Sequence, residues 1–226
     1  MNPEALVYHK RRHSARNTDE YLFNQLVPYL GNKRRLLHLI LEALEITGTL
    51  NSKKKNPPIF ADFFAGSGVV SRLARQNGYR VIANDWEPYS HALNHAILAC
   101  VDAPEFKQLG GYQKAIDILN RLPEVKGWVT HNLCPRNDDL YDPSRDRLFF
   151  KRRNGMKIDA IRQQIATWQA QGAINDVEMS ALLAPLLYSA SFVSNTSGVF
   201  KSFHQGWGGR TKTALAITRA TLATCC

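Results

Sequence analysis

Two aspartates, Asp62 and Asp85, flank the glycine loop Ala65-Gly66-Ser67-Gly68. The loop follows the apolar run Ile59–Phe64 and leads into Val69-Val70-Ser71-Arg72. At a strand-to-helix turn of this kind, backbone N–H groups and a helix N-terminus come close to a ligand. A P-loop is excluded, because Val69 and Val70 stand where a lysine and a Ser or Thr have to follow the second glycine. A dinucleotide site stays open: in Gly66-x-Gly68-x-x-Ser71 serine replaces the third glycine, and Asp85 lies at the spacing of a ribose acid. Asp62 weighs against it, since a carboxylate just before the turn repels a pyrophosphate and suits a ligand with a positive amino group and no phosphate. S-adenosylmethionine, which carries an ammonium, a sulfonium and a ribose, is such a ligand. A carboxylate at position 85 can accept protons from both ribose hydroxyls.

These residues need a frame. The stretch "KRRLLHLILEALEITG" sets Leu36, Leu37, Ile40, Leu41 and Leu44 on one helical face and ends in Gly48. After the polar linker "TLNSKKKNPP", the run "IFADFF" reads as a short buried strand, "VVSRLARQNG" as a helix and "YRVIAND" as a second strand ending at Asn84 and Asp85. Strand, glycine loop, helix and strand make one βαβ unit of a doubly wound sheet.

Composition bounds the rest. The 226 residues suffice for one substantial core and a smaller appendage. No apolar run approaches the ~18 residues of a membrane span, and the N-terminus has no apolar block or cleavage site of a secretory signal, so a soluble, cytoplasmic chain is expected. Cys100, Cys134, Cys225 and Cys226 lack paired spacing, which indicates neither a zinc site nor a disulfide framework. The 29 Lys and Arg exceed the 19 Asp and Glu by a formal +10, clustered at "HKRRHSAR", "NKRR", "SKKK" and "RDRLFFKRRNGMK". That excess favours a polyanionic partner.

Three motifs in order carry a resemblance. "DFFAGSG" resembles the Asp-x-Phe-x-Gly-x-Gly cofactor motif of N6-adenine DNA methyltransferases. "YLGNKRRLL", upstream of the strand, resembles the aromatic-x-Gly-x-Lys element of the DNA adenine methylase family, alpha group. "FVSNTSGVFKSFHQGWGG" resembles that family's Asn-x-x-Gly-x-Phe recognition loop. The resemblance implies a Rossmann-like S-adenosylmethionine-dependent α/β fold with an incomplete sheet and an inserted, mainly helical recognition module. It implies that Tyr29 and Lys33 line the cofactor pocket, that Asp62, Phe64, Gly66 and Gly68 shape its methionine side, and that Asp85 holds the ribose.

In that family the polar residue of Asp-Pro-Pro-Tyr, or of Asn-Pro-Pro-Tyr, binds the target amine, and its ring stacks on a flipped adenine. This chain contains neither motif. "NPPI" at Asn56 lacks the ring and precedes the first strand, and "YDPS" at Tyr141 has one proline; both read as turns. The family resemblance places the motif after the recognition region, so the expectation is an N-terminal portion of a longer methyltransferase, inactive alone. It divides into a cofactor-binding part at 1–101, a recognition module at 102–210 and the start of a return to the catalytic part at 211–226. The alternative is a non-catalytic DNA-binding subunit of a split enzyme whose C-terminal catalytic half is a separate chain.

Within 102–210, "APEFKQLGGYQKAIDILNRLP", "MKIDAIRQQIATWQAQG" and "VEMSALLAPLLYSASFV" have helical spacing, and "RNDDLYDPSRDRLFFKRRNG" is turn-rich. Arg145, Arg147, Lys151, Arg152, Arg153 and Lys157 are placed to meet phosphates of double-stranded DNA, whereas Phe149, Phe150 and Trp168 read as core. Asn195 and Lys201 stand in the late loop as further DNA-binding candidates. The function expected is site-specific methyl transfer to adenine N6, in a restriction-modification or phage setting.

Overall fold

The computed structural model describes residues 21–24, 27–28, 31–50, 56–99, 104–142, 144–198 and 200–220. The Asn32 side chain accepts the Arg34 N–H at 2.9 Å and opens a 3-10 turn, Lys33–Leu36, that runs into helix α1, Leu37–Ile46. Leu37 and Leu44 are buried on its inner stripe. Leu36 stays half exposed, because a 3-10 turn advances about 120° per residue and carries it off that stripe.

Strand β1, Ile59–Asp62, passes through the glycine loop into α2, Val69–Gln76, then β2, Arg80–Ala83, and α3, Pro88–Leu98. β1 and β2 are parallel, with Ile59 opposite Arg80 and Asp62 opposite Ala83. Both strands are shorter than the apolar runs suggest. The ladder continues from Asn84 N–H to Asp62 O (2.8 Å) and from Ala65 N–H to Asn84 O (3.0 Å), so Phe63 and Phe64 are skipped and looped outward. One face of the sheet packs Phe60 and Val81 against Leu44, Ala74 and Tyr79; the other presents Ile59, Ala61 and Ile82 to solvent.

Further α-helices among the described residues are α4, Tyr112–Arg121, α5, Trp128–Leu133, α6, Arg152–Ala170, and α7, Asp176–Val193. Their core includes Ile116, Leu119, Phe150, Ile161, Ile165 and Leu182, and α3 contributes Leu93 and Ala96 to it. Phe149, Phe150 and Trp168 are buried there as expected. α7 opens with a capping box in which Asn175 accepts the Glu178 N–H and Glu178 accepts the Asn175 N–H. α5 has no apolar stripe of its own to announce it. Asp159 of α6 holds its start, accepting the N–H groups of Gly127, Val129 and Thr130 at 2.8–3.0 Å.

Beyond the 3-10 turn Gly209–Lys212 the chain continues without helix or strand, and Leu215 and Ile217 are buried in the helical core. Asn154 and Asn120 clamp it by pairing with backbone: Asn154 with Thr213 O and Leu215 N–H, Asn120 with both polar groups of Ile217. Packing is therefore continuous across the expected boundaries at 101 and 210. Among the described residues no helix is long and apolar enough to cross a membrane.

Candidate cofactor loop and nucleic-acid interface

The glycine loop is held from three sides. Asp85 Oδ2 accepts the Gly66 N–H at 2.7 Å and Asp85 Oδ1 accepts the Glu87 N–H at 3.0 Å, which ties the tip of β2 to the loop. From α3, the Ser90 hydroxyl and the Asn94 amide donate to Gly66 O at 2.7 and 3.3 Å. From the upstream turn, the Asn32 amide donates to Ser67 Oγ at 3.1 Å. Gly66 and Gly68 take φ of 52° and 78°, left-handed values that side chains avoid, and a Cβ on Gly68 would collide with Asn94 Oδ1. Asp62 accepts the Ser71 hydroxyl at 2.7 Å. Neither Asp62 nor Asp85 forms an ion pair among the described residues, so each keeps acceptor capacity.

The structure thus brings Asp62, Phe64, Gly66, Gly68 and Asp85 to one end of the two strands, with Lys33 exposed in the turn that Asn32 ties to Ser67. Tyr29 lies outside the described residues. Beside the loop, Trp86 is 94% exposed and Phe64 83%. Large rings so open at a strand tip offer flat apolar faces to a ligand. Sequence reading did not single out Asn32, Ser90, Asn94 or Trp86. The available signal was Ser90 and Asn94, polar residues four apart on a helix whose Leu93, Ala96 and Ile97 are buried.

The basic candidates fall around the start of α6. Lys151 is its N-cap, with its ammonium 5.4 Å from the Trp207 ring centroid. Arg152 donates through Nη1 to Pro135 O at 2.9 Å, and its N–H is accepted by Asp138. Arg153 pairs with Glu124 at 3.3 Å while its side chain stays largely exposed. Trp207 donates to Asp138 O at 2.8 Å, so the late loop and the start of α6 share one surface. Lys201 is exposed on that loop.

Two expectations need correcting. Lys157 donates to Asn120 O and Leu122 O at 2.7 and 2.8 Å, so it closes the end of α4; burial also pushes its pKa down. Asn195 is 1% exposed and its amide makes three hydrogen bonds: Nδ2 donates to His204 O and Gly206 O, and Oδ1 accepts the Gly208 N–H. Its backbone N–H also donates to Phe149 O at 2.8 Å. A residue so committed braces the loop from within. The sequence pattern of asparagine among glycines marks the loop without telling an exposed amide from a buried one.

A family model described as D12 class N6 adenine-specific DNA methyltransferase matches residues 29–224. The type II methyltransferase M.NlaIII of Neisseria lactamica is 33% identical over 177 residues, covering 77% of this chain and 48% of that protein. Modification methylase LlaI of Lactococcus lactis subsp. lactis is 31% identical over 190 residues, covering 80% of this chain and 28% of its own length. The type II methyltransferase M.FokI of Planomicrobium okeanokoites is 29% identical over 187 residues, covering 80% and 27%. The match spans about half of the first relative and about a quarter of the other two. No solved structure matches the chain.

Proposed function

The chain belongs to the D12 class of N6 adenine-specific DNA methyltransferases, and on that premise we propose that it serves site-specific methylation of adenine N6 in double-stranded DNA, as part of a modification enzyme. The observation that carries this reading is the glycine loop hung between Asp62 and Asp85 at the ends of parallel strands, with Asp85 bonded to the Gly66 N–H. The names of the relatives, type II methyltransferases and modification methylases, support the restriction-modification setting. The βαβ unit supports a Rossmann-like sheet.

S-adenosylmethionine supplies the methyl group. The residues present fit it: two carboxylates without cation partners among the described residues suit an ammonium and a ribose, and a phosphate-bearing cofactor would meet Asp62. Asp85 holds the ribose hydroxyls with its remaining lone pairs while bracing the loop, Asp62 faces the methionine end, and Trp86 and Phe64 supply ring faces for the adenine moiety. Lys33 sits at the same end. Lys151, Arg152 and Arg153 at the start of α6, with Lys201 on the neighbouring loop, meet backbone phosphates. Three cations at the positive end of a helix dipole suit an anion there. Asn195 contributes by keeping that loop in shape.

Acceleration needs groups that engage the adenine amine in the transition state, and these 226 residues contain no Asp-Pro-Pro-Tyr or Asn-Pro-Pro-Tyr. Addition of a chain carrying that motif is therefore expected to be required for label to pass from tritiated S-adenosylmethionine to duplex adenine. Calorimetric titration tests the cofactor site directly. Asp85→Ala should weaken S-adenosylmethionine binding by about 1.5–3 kcal/mol, through the missing charged acceptor and the loosened loop. An unchanged dissociation constant, or tighter binding of NAD than of S-adenosylmethionine, overturns the assignment.

A further inference from the structure

A cleft of about 600 Å³ opens between the turn Lys33–Leu36 and the C-terminal part of α7, with Asn32, Arg34, Arg35, Tyr188, Phe192 and Arg210 among its walls. Among the described residues three arginines line it and no acid does. Among the described residues none of the three forms an ion pair. The Arg34 guanidinium lies over the Phe23 ring, 5.7 Å from its centroid, and that of Arg210 over Phe192 at 5.6 Å. Stacking of this kind restrains a guanidinium and leaves its N–H edge free for a two-point grip on an anion. Behind the cleft, burial pushes the Arg72 pKa down to about 10, with Tyr21 pulling it up and the like charge of Arg34 a smaller push down.

We infer that this cleft clamps backbone phosphates of the duplex beside the target adenine, as a second grip distinct from the Lys151–Arg153 surface. The inference rests on the DNA methyltransferase reading above. Its placement follows from the two walls. Asn32 lines the cleft and also donates to Ser67 of the cofactor loop. The opposite wall is α7, whose end leads into the loop bearing Lys201, with Arg210 just past that loop. A phosphate held here lies between the cofactor loop and the recognition loop, where a strand presenting its base to the methyl donor has to pass. Phosphate contacts fix register without reading sequence, so the cleft positions DNA and leaves base choice to other residues.

The test is the triple variant Arg34→Gln, Arg35→Gln, Arg210→Gln in the full chain, with fluorescence anisotropy of labelled duplexes over a range of salt. The expected result is a log–log salt slope shallower by roughly 0.9 for each phosphate no longer neutralised, on the order of 2–3 in all. Duplexes of unrelated sequence should weaken equally, with the S-adenosylmethionine dissociation constant unchanged by calorimetry. Arg210→Gln alone, a single exposed change, should make the slope shallower by roughly 0.9 and decides the matter if the triple variant melts early. A wild-type slope in that variant sinks the clamp while leaving the methyltransferase reading intact. So does a tenfold drop in S-adenosylmethionine affinity at unchanged slope, which would assign the arginines to the cofactor's carboxylate. Wild-type protein that binds no duplex at any salt removes both.

Discussion

The helical module and the two-stranded sheet solve the burial problem differently. In the module, one core runs from α3 to the C-terminal tail, and buried polar groups are met by side chains that imitate backbone: Asp159 at the start of α5, Asn154 and Asn120 along the tail. In the sheet, Ile59, Ala61 and Ile82 face solvent on one side, and Phe63, Phe64 and Trp86 stand open at the strand ends. Parallel strands are ordinarily covered on both faces. Stability is therefore concentrated in the module, while the groups that fit a cofactor sit on the thinner-packed half, where ligand-binding segments commonly lie.

Core truncation tests the contrast hardest. Leu182 is wholly buried in the module, so Leu182→Ala should cost about 2–5 kcal/mol in urea unfolding. Ile82→Ala on the open sheet face should cost less than about 0.5 kcal/mol. Equal costs would erase the distinction. Charge reversal sharpens it from the surface. Changing Lys151, Arg152 and Arg153 to Glu should flatten the salt dependence of duplex binding by roughly 0.9 for each phosphate released. Because Arg152 is bonded to Pro135 O and Arg153 to Glu124, Lys151→Glu alone should carry the largest single share. If the slope holds in all three, that face is merely solvated.

The smallest effect lies at the joint between the two regions, where His95 of α3 meets the Ser180 hydroxyl of α7 at 2.9 Å. Burial, then the neighbouring His91, lowers the His95 pKa from its ordinary 6.5, against a smaller opposing pull from Asp176. In the unfolded chain the ring regains its ordinary value and binds a proton more readily than in the fold. The stability owed to neutral His95 is thus complete above pH 6.5 and is lost as pH falls below that value. Thermal melts from about pH 7.5 to about pH 5 should show a shallower decline for His95→Gln than for the wild type. Parallel declines would remove His95 from the joint's pH response.

The parts legible in the sequence were those set by local pattern. Strand, glycine loop and helix around Asp62 and Asp85 follow from apolar runs and glycine placement, and the module's long helices from their spacing. What stayed hidden depends on distant partners. α5 exists because Asp159, about thirty residues on, satisfies its first N–H groups. Asn195 and Lys157 look like surface contacts in sequence and are spent on internal carbonyls. The cleft of arginines joins position 34 to position 210, a proximity that no one-dimensional reading contains.

α3 reaches in both directions: Ser90 and Asn94 grip Gly66, while Leu93, Ala96 and His95 seat it against α7 and the helical core. One short rod therefore touches both the glycine loop and the helical core, so the two share a single rigid element. Were two ligands to bind at its two ends, their coupling would be reciprocal: whatever factor one adds to the affinity of the other, the other returns.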